Sequence, residues 1–142
     1  MASPQIFIHP KTYCTKQSEK HHYLTEEEFK KQKFFEQTMY AGVKYGTKKE
    51  DIQGVLDEGK FVVMPLDMCG AIAMKRHFPT VIIYIAKDKE EMIADIVQSD
   101  FSVEEKTLRI LSLDAEKRNR EICDVTADNR DGKGMERIVN LL

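Results

Sequence analysis

Two short apolar runs stand on either side of a single helix-length segment, and this feature restricts the possible folds most strongly. The runs are FVVMPL at 61–66 and TVIIYIA at 80–86, with residues 70–77 between them. Continuous apolar runs rich in Val and Ile are typical of strands buried on both faces of a parallel sheet. Because parallel strands need a crossover connection, this pattern predicts an α/β fold with helices flanking a mostly parallel sheet.

Further signals extend the alternation along the chain. Thr25 followed by three glutamates predicts a helix start, and Thr47 with Glu50 predicts a capping box for a second helix that Gly59 ends. Residues 11–23 are polar and turn-like. The other predicted elements are strands at 5–8, 34–40 and near 125–126, and helices at 89–97, 103–123 and 134–142. With 142 residues and no internal repeat, we expect one domain spanning 1–142.

Composition excludes several classes of function. The formal net charge of −2 provides no basic field for nucleic acid or an anionic membrane, and no apolar run approaches the roughly 20 residues of a membrane span. Cys14, Cys69 and Cys123 are widely spaced without a CxxC pair, and the histidines form no recognisable ligand set. We therefore expect a cytoplasmic protein with reduced cysteines, no metal site, and no nucleic-acid or membrane partner.

The stretch YAGVKYGTKKEDIQGVLDEGKFVVMPLDMCG, at 40–70, has the layout of a nucleotide site. Tyr45 and Thr47 flank Gly46, which would allow a ligand to approach the backbone closely. Asp67 follows the apolar run, at the carboxyl end of a predicted parallel strand, where ligands bind in such sheets. Helix capping alone would also account for Thr47 and for Asp67.

From about residue 12 to the C-terminus, the sequence resembles the guanylate kinase family, whose members transfer a phosphoryl group from ATP to GMP. FFEQTMYAGVKYGT matches the family segment that pairs an acid with a tyrosine–glycine–hydroxyl turn. EGKFVVMPLDMCG resembles its "GK, apolar strand, acid-x-acid, x-x-Gly" element, and KRHFPTVIIYI resembles the next helix end and strand. The resemblance implies a nucleoside monophosphate kinase-like fold, with a GMP-binding subregion at 12–60 and a lid-like helical region at 87–120.

The resemblance also implies substrate contacts for six residues: Thr12, Lys16, His21, Glu36, Tyr45 and Thr47. Thr12, Glu36 and Thr47 would select guanine, and the other three would hold the phosphate of GMP. Guanine presents its N1–H and its exocyclic amine side by side, so the Glu36 carboxylate can accept from both. The alternatives are a solvent-facing Glu36 on its strand and exposed surface positions for Lys16 and His21.

Two departures from the family pattern concern catalysis. Pro65 replaces the first acid of the acid-x-acid element, which leaves Asp67 to position Mg²⁺ or the base. No GxxxxGK[ST] occurs in the sequence, although phosphoryl transfer relies on that loop to hold the β- and γ-phosphates. Arg109 stands in the segment where the family has several arginines facing the transferred phosphoryl group.

These departures lead to expectations about activity and assembly. The family's first strand, phosphate-binding loop and first helix are missing from the match, so we expect this chain to be inactive or truncated, with ATP and Mg²⁺ as cofactors only if that segment exists. A sheet without its central strand would rearrange its pairing or form a homodimer that fills the gap. Two functions stay open: GMP recognition within an ATP:GMP phosphotransferase family, or a non-catalytic module that binds GMP or a phosphopeptide.

Overall fold

The computed structural model describes residues 6–40, 42–134 and 136. The chain divides into two compact units, Met1–His77 and Phe78–Leu142. Each unit combines helices with strands, which confirms the predicted α/β class. The predicted 12–60 subregion falls in the first unit, and the predicted 87–120 region falls in the second.

The first unit carries all six predicted substrate-binding residues. Its described elements are, in chain order, β1 (Phe7–Ile8), β2 (Tyr13–Cys14), β3 (His22–Tyr23), α1 (Glu26–Lys31), β4 (Glu36–Tyr40), β5 (Val43–Thr47), α2 (Lys49–Asp57), β6 (Phe61–Val62) and α3 (Met68–His77).

The second unit places two strands beside two helices. Its described elements are β7 (Ile83–Ala86), α4 (Lys89–Gln98), α5 (Val103–Arg118), a 3₁₀ turn (Asn119–Ile122) and β8 (Val125–Asp128). β7 and β8 pair in parallel, with Ile83 opposite Val125. No helix in the described part of the chain is both long enough and apolar enough to cross a membrane.

The described strands pair in three sheets. β1 with β6 and β7 with β8 form parallel pairs, whereas the four-stranded sheet, in the order β3-β2-β5-β4, is mixed. In that sheet β2 and β3 run parallel, and β5 runs antiparallel to both β2 and β4. The antiparallel pairing follows from the short β4–β5 connection, in which Gly42 adopts a positive φ of 79°. Such a short connection can join only antiparallel neighbours.

Local sequence signals account for most of the helix ends. At α1 the Thr25 hydroxyl accepts from the Glu28 N–H, and the Glu28 carboxylate accepts from the Thr25 N–H. The predicted helix start at Thr25 is therefore confirmed, and it takes the form of a capping box. Gly59, with φ of 73°, follows the end of α2 as predicted. The predicted Thr47–Glu50 capping box at α2 is wrong, because the residue that precedes the helix is Lys48 and it makes no side-chain capping bond.

An aromatic cluster packs α1 onto the four-stranded sheet. The Phe29 ring of α1 lies 4.6 Å from the Phe34 ring, and the Phe34 ring lies 5.7 Å from that of Tyr13 on β2. Phe29 is almost fully buried, at 3% exposure. This contact occupies the face of the sheet opposite to the one that carries the candidate site.

Three predicted segments differ in the structure. Residues 11–23 are not merely turn-like, because β2 and β3 form there and pair with each other. The run at 61–66 is not a long buried strand: only Phe61–Val62 form a strand, and Phe61 is 60% exposed. The predicted helix at 134–142 lies largely outside the described residues. At 103–123 the α-helix ends at Arg118 and a 3₁₀ turn follows.

Candidate functional site

One face of the four-stranded sheet gathers hydroxyl and acidic side chains from β4 and β5. Glu36 lies opposite Thr47 in the ladder, and Thr38 lies opposite Tyr45. Alternate residues of a strand share a face, and so do directly opposite residues of antiparallel neighbours. The four side chains therefore point to the same side of the sheet.

Glu36 is a buried carboxylate with a buried hydrogen-bond donor. Glu36 is 7% exposed, and Thr47, at 3% exposure, donates from Oγ1 to Glu36 Oε2 at 3.0 Å. Burial raises the pKa of Glu36, the Thr47 hydrogen bond opposes that rise, and the nearby Asp67 charge adds to it. The alternative of a solvent-facing Glu36 is thus wrong. The arrangement leaves a carboxylate with spare acceptor capacity for a donor-rich ligand.

Asp67 brings a second carboxylate to Glu36. It stands just before α3, where its Oδ1 accepts from the Gly70 N–H at 2.7 Å, so the capping role is confirmed. Its Oδ2 accepts from the Thr38 hydroxyl at 3.0 Å. A Cβ at Gly70 would lie 3.1 Å from Glu36 Oε1 and 3.2 Å from Asp67 Oδ1. The two carboxylates therefore converge on the bare α-carbon of Gly70.

Three further predicted residues meet at the β2 side of the same sheet. Thr12 Oγ1 lies 2.8 Å from His21 Nδ1, and the His21 and Tyr45 rings form a T-shaped contact with centroids 5.4 Å apart. Burial lowers the pKa of His21, and the charges of His9 and Lys20 lower it further. A neutral imidazole that accepts from Thr12 at Nδ1 carries a proton on Nε2, which makes that nitrogen a hydrogen-bond donor. The structure thus joins Thr12, His21 and Tyr45 in one cluster.

Lys16 and Arg109 are placed differently. The side chain of Lys16 is exposed, and its backbone carbonyl accepts from the buried Cys14 thiol at 2.8 Å. Arg109 lies on α5 in the second unit, where its guanidinium donates twice to Glu105 Oε1 and stacks 4.1 Å from the Phe101 ring centroid. The phosphate-binding role of Lys16 and the catalytic role of Arg109 stay predictions.

The described residues do not supply a metal site of three or more ligands from His, Cys, Asp and Glu side chains. Mg²⁺ that carries a nucleotide is usually held by one or two carboxylates together with phosphate oxygens. Both oxygens of Asp67 already accept hydrogen bonds from within the protein. The Mg²⁺-positioning role of Asp67 therefore stays a prediction.

The comparison with known proteins agrees with this geometry. The family model for guanylate kinase matches residues 4–135. This chain belongs to the guanylate kinase family. Guanylate kinase from Chlamydia trachomatis serovar D is 34% identical over 73 residues, which cover 49% of this chain and 36% of that protein. Guanylate kinase from Clostridium perfringens SM101 is 41% identical over 59 residues, or 39% of this chain and 27% of that protein.

A solved structure shows the guanylate kinase fold directly. The crystal structure of guanylate kinase from Anaplasma phagocytophilum superposes with a TM-score of 0.72 at 19% sequence identity. The superposition covers 95% of this chain and 73% of that chain. The sequence matches to the curated relatives are shorter and span about a third of the length of the Chlamydia protein. The superposition therefore shows that this chain has the fold of that guanylate kinase.

The guanylate kinase segment at Tyr45-Gly46-Thr47 is a strand rather than a gripping turn. All three residues belong to β5. A Cβ on Gly46 would lie 2.6 Å from the Phe34 ring, so this glycine makes room for the aromatic cluster instead of a ligand. The prediction of a ligand-approach glycine is therefore wrong, because tertiary packing uses the space.

Thr38 is a functional candidate that the sequence predictions did not include. Its hydroxyl contacts the Asp67 carboxylate. The signal for Thr38 was its position two residues after Glu36, which puts both on one strand face. Gly70, the glycine of the predicted x-x-Gly element, contacts the same carboxylate through its N–H.

Proposed function

We propose that the first unit of this guanylate kinase family member recognises GMP. Glu36, Thr47 and Thr12 bind the guanine base, Asp67 stands beside Glu36, and His21 and Tyr45 form the part of the site nearer the phosphate. The buried Glu36 carboxylate carries this proposal. A carboxylate in a polar face, held by one hydroxyl and otherwise short of donors, suits a ligand with adjacent N–H groups.

Recognition of guanine by a carboxylate implies a clear specificity. Guanine offers the N1–H and 2-amino donors at the edge where adenine offers an unprotonated N1. With adenine bound, the buried Glu36 carboxylate would face an acceptor and would find no hydrogen-bond donor to replace water. Such a mismatch discriminates strongly between ligands. GMP should therefore bind more tightly than AMP.

Calorimetry on the purified chain tests the proposal. We expect GMP to bind, AMP to bind at least about tenfold more weakly, and Glu36→Gln to abolish the difference between them. Glu58→Gln is the matched control, since it makes the same change at an exposed carboxylate that pairs with Lys60. Absence of GMP binding by the wild-type chain would overturn the proposal. Binding of a phosphopeptide without GMP would favour an interaction module instead.

We further propose that this chain binds GMP without turning it over at a working rate. Its 142 residues contain no GxxxxGK[ST] loop, so the proposal assigns no residues to ATP and Mg²⁺. A coupled assay with ATP, Mg²⁺ and GMP should show no turnover above background. Turnover in the usual kinase range of roughly 1–100 s⁻¹ would contradict this part while leaving GMP recognition intact.

A further inference from the structure

The carboxylate of Asp67 is held from two different elements. The Gly70 N–H donates to Oδ1 at 2.7 Å as part of the start of α3, and the Thr38 hydroxyl donates to Oδ2 at 3.0 Å from β4. The first bond is local, whereas the second joins residues 29 positions apart. Each carboxylate oxygen can accept two hydrogen bonds, so each keeps an acceptor position for a ligand.

The hydrogen bond from Thr38 sets the orientation of the Asp67 carboxylate and of its free acceptor positions. Asp67 is exposed, and an aspartate held only by a helix N–H can still present its second oxygen to water. Thr38 and Glu36 lie two residues apart on the same strand face, so the hydroxyl draws Asp67 toward Glu36. Both carboxylates then stand within 3.2 Å of the place that a Gly70 Cβ would take.

We propose that Thr38 is a positioning residue that holds Asp67 beside Glu36, so that two carboxylates rather than one face the donor edge of guanine. The inference rests on the proposed GMP function. Glu36, which is buried and held by Thr47, accepts from N1–H, and Asp67, which is exposed at the edge, accepts from the 2-amino group. Thr38 itself touches no ligand and acts only through Asp67.

GMP and IMP differ only in the 2-amino group, so comparing their binding tests the role of Asp67. IMP has the N1–H of GMP and lacks the 2-amino group, so Asp67 gains nothing from it. Removal of the Thr38 hydroxyl should therefore weaken GMP binding and leave IMP binding almost unchanged. A merely structural role for Thr38 would weaken both nucleotides alike.

The experiment measures GMP and IMP affinities by calorimetry for the wild-type chain, Thr38→Val and Thr38→Ser. We expect Thr38→Val to bind GMP about tenfold more weakly and IMP within about twofold of the wild type, and Thr38→Ser to restore GMP binding. Thr126→Val, a strand threonine of β8 with no role in the site, is the matched control and should leave both affinities unchanged.

Several outcomes would overturn the inference. An unchanged GMP-to-IMP ratio in Thr38→Val, or no rescue by Thr38→Ser, contradicts the positioning role while GMP recognition stands. Failure of the wild-type chain to bind GMP removes the proposed function and this inference with it. Thermal melts accompany each titration, and Thr38→Ala replaces Thr38→Val if the valine variant is unfolded.

Discussion

The Thr47 hydroxyl donates a hydrogen bond of 3.0 Å to the Glu36 carboxylate, and both side chains are buried on one face of the mixed sheet. A buried carboxylate without such a donor would cost several kcal/mol, on the order of the desolvation penalty for an ionised group. The hydrogen bond from Thr47 therefore keeps a carboxylate at a buried position, where apolar side chains would usually make the fold more stable. Proteins retain such arrangements where binding requires them.

Replacement of Glu36 by Gln should flatten the dependence of stability on pH. Burial raises the pKa of Glu36, so the folded state binds its proton more tightly than the unfolded chain does. The free energy of unfolding of the wild type should therefore fall as pH rises from the ordinary glutamate pKa through the raised value. Urea titrations at several pH values measure this slope. An equally steep slope in Glu36→Gln would show that other groups cause it.

Removal of the Thr47 hydroxyl should destabilise the fold, because it leaves the buried Glu36 carboxylate without its hydrogen-bond donor. Thr47→Val leaves a buried acceptor without its donor, which costs about 1–3 kcal/mol in the free energy of unfolding at neutral pH. Thr47→Ser keeps the hydroxyl and should cost less. Urea unfolding of the two variants checks the difference. Equal stabilities for the valine and serine variants would contradict a role for this hydrogen bond.

Two glycine substitutions should have opposite effects. A methyl group at Gly46 would meet the Phe34 ring at 2.6 Å, so Gly46→Ala should lower the free energy of unfolding by about 1–3 kcal/mol through overpacking. At Gly54, inside α2, a Cβ meets nothing within 4 Å. Gly54→Ala should therefore raise stability by about 0.5–1 kcal/mol, as in other helix interiors. Thermal melts that move in the same direction for both variants would contradict this account.

His21 should make the fold weaker in mild acid. Burial lowers the pKa of His21, so between its lowered value and the ordinary histidine value the unfolded chain binds more protons than the folded one. The associated stability is fully present above the ordinary value and is lost as pH falls below it. His21→Asn should remove this part of the slope. NMR titration of the His21 imidazole provides an independent check.

The helix ends and short elements of this fold were predictable because the contacts that form them join residues close in sequence. The capping box of α1 joins Thr25 to Glu28, three residues on, and Gly59 ends α2 through its own backbone conformation. The helix at α3 and the strand at β7 followed from patterns a few residues long. The strand that carries Glu36 also followed from such a pattern, whereas Tyr45 and Thr47, which were expected in a turn, lie on the paired strand β5.

The sequence by itself thus determined the α/β class, the family and the residue types of the site, since each depends on short-range pattern. Only the tertiary structure decided which atoms meet. Thr47 satisfies Glu36 instead of capping α2, Gly46 makes room for Phe34, and Thr38 reaches Asp67 across 29 residues. The two-residue strands β2 and β3 likewise exist only through pairing with distant or facing segments. The sequence does not show which residue a hydroxyl group or a glycine α-carbon will contact. That partner is decided by the register of the strand pairing, which determines which side chains lie next to one another.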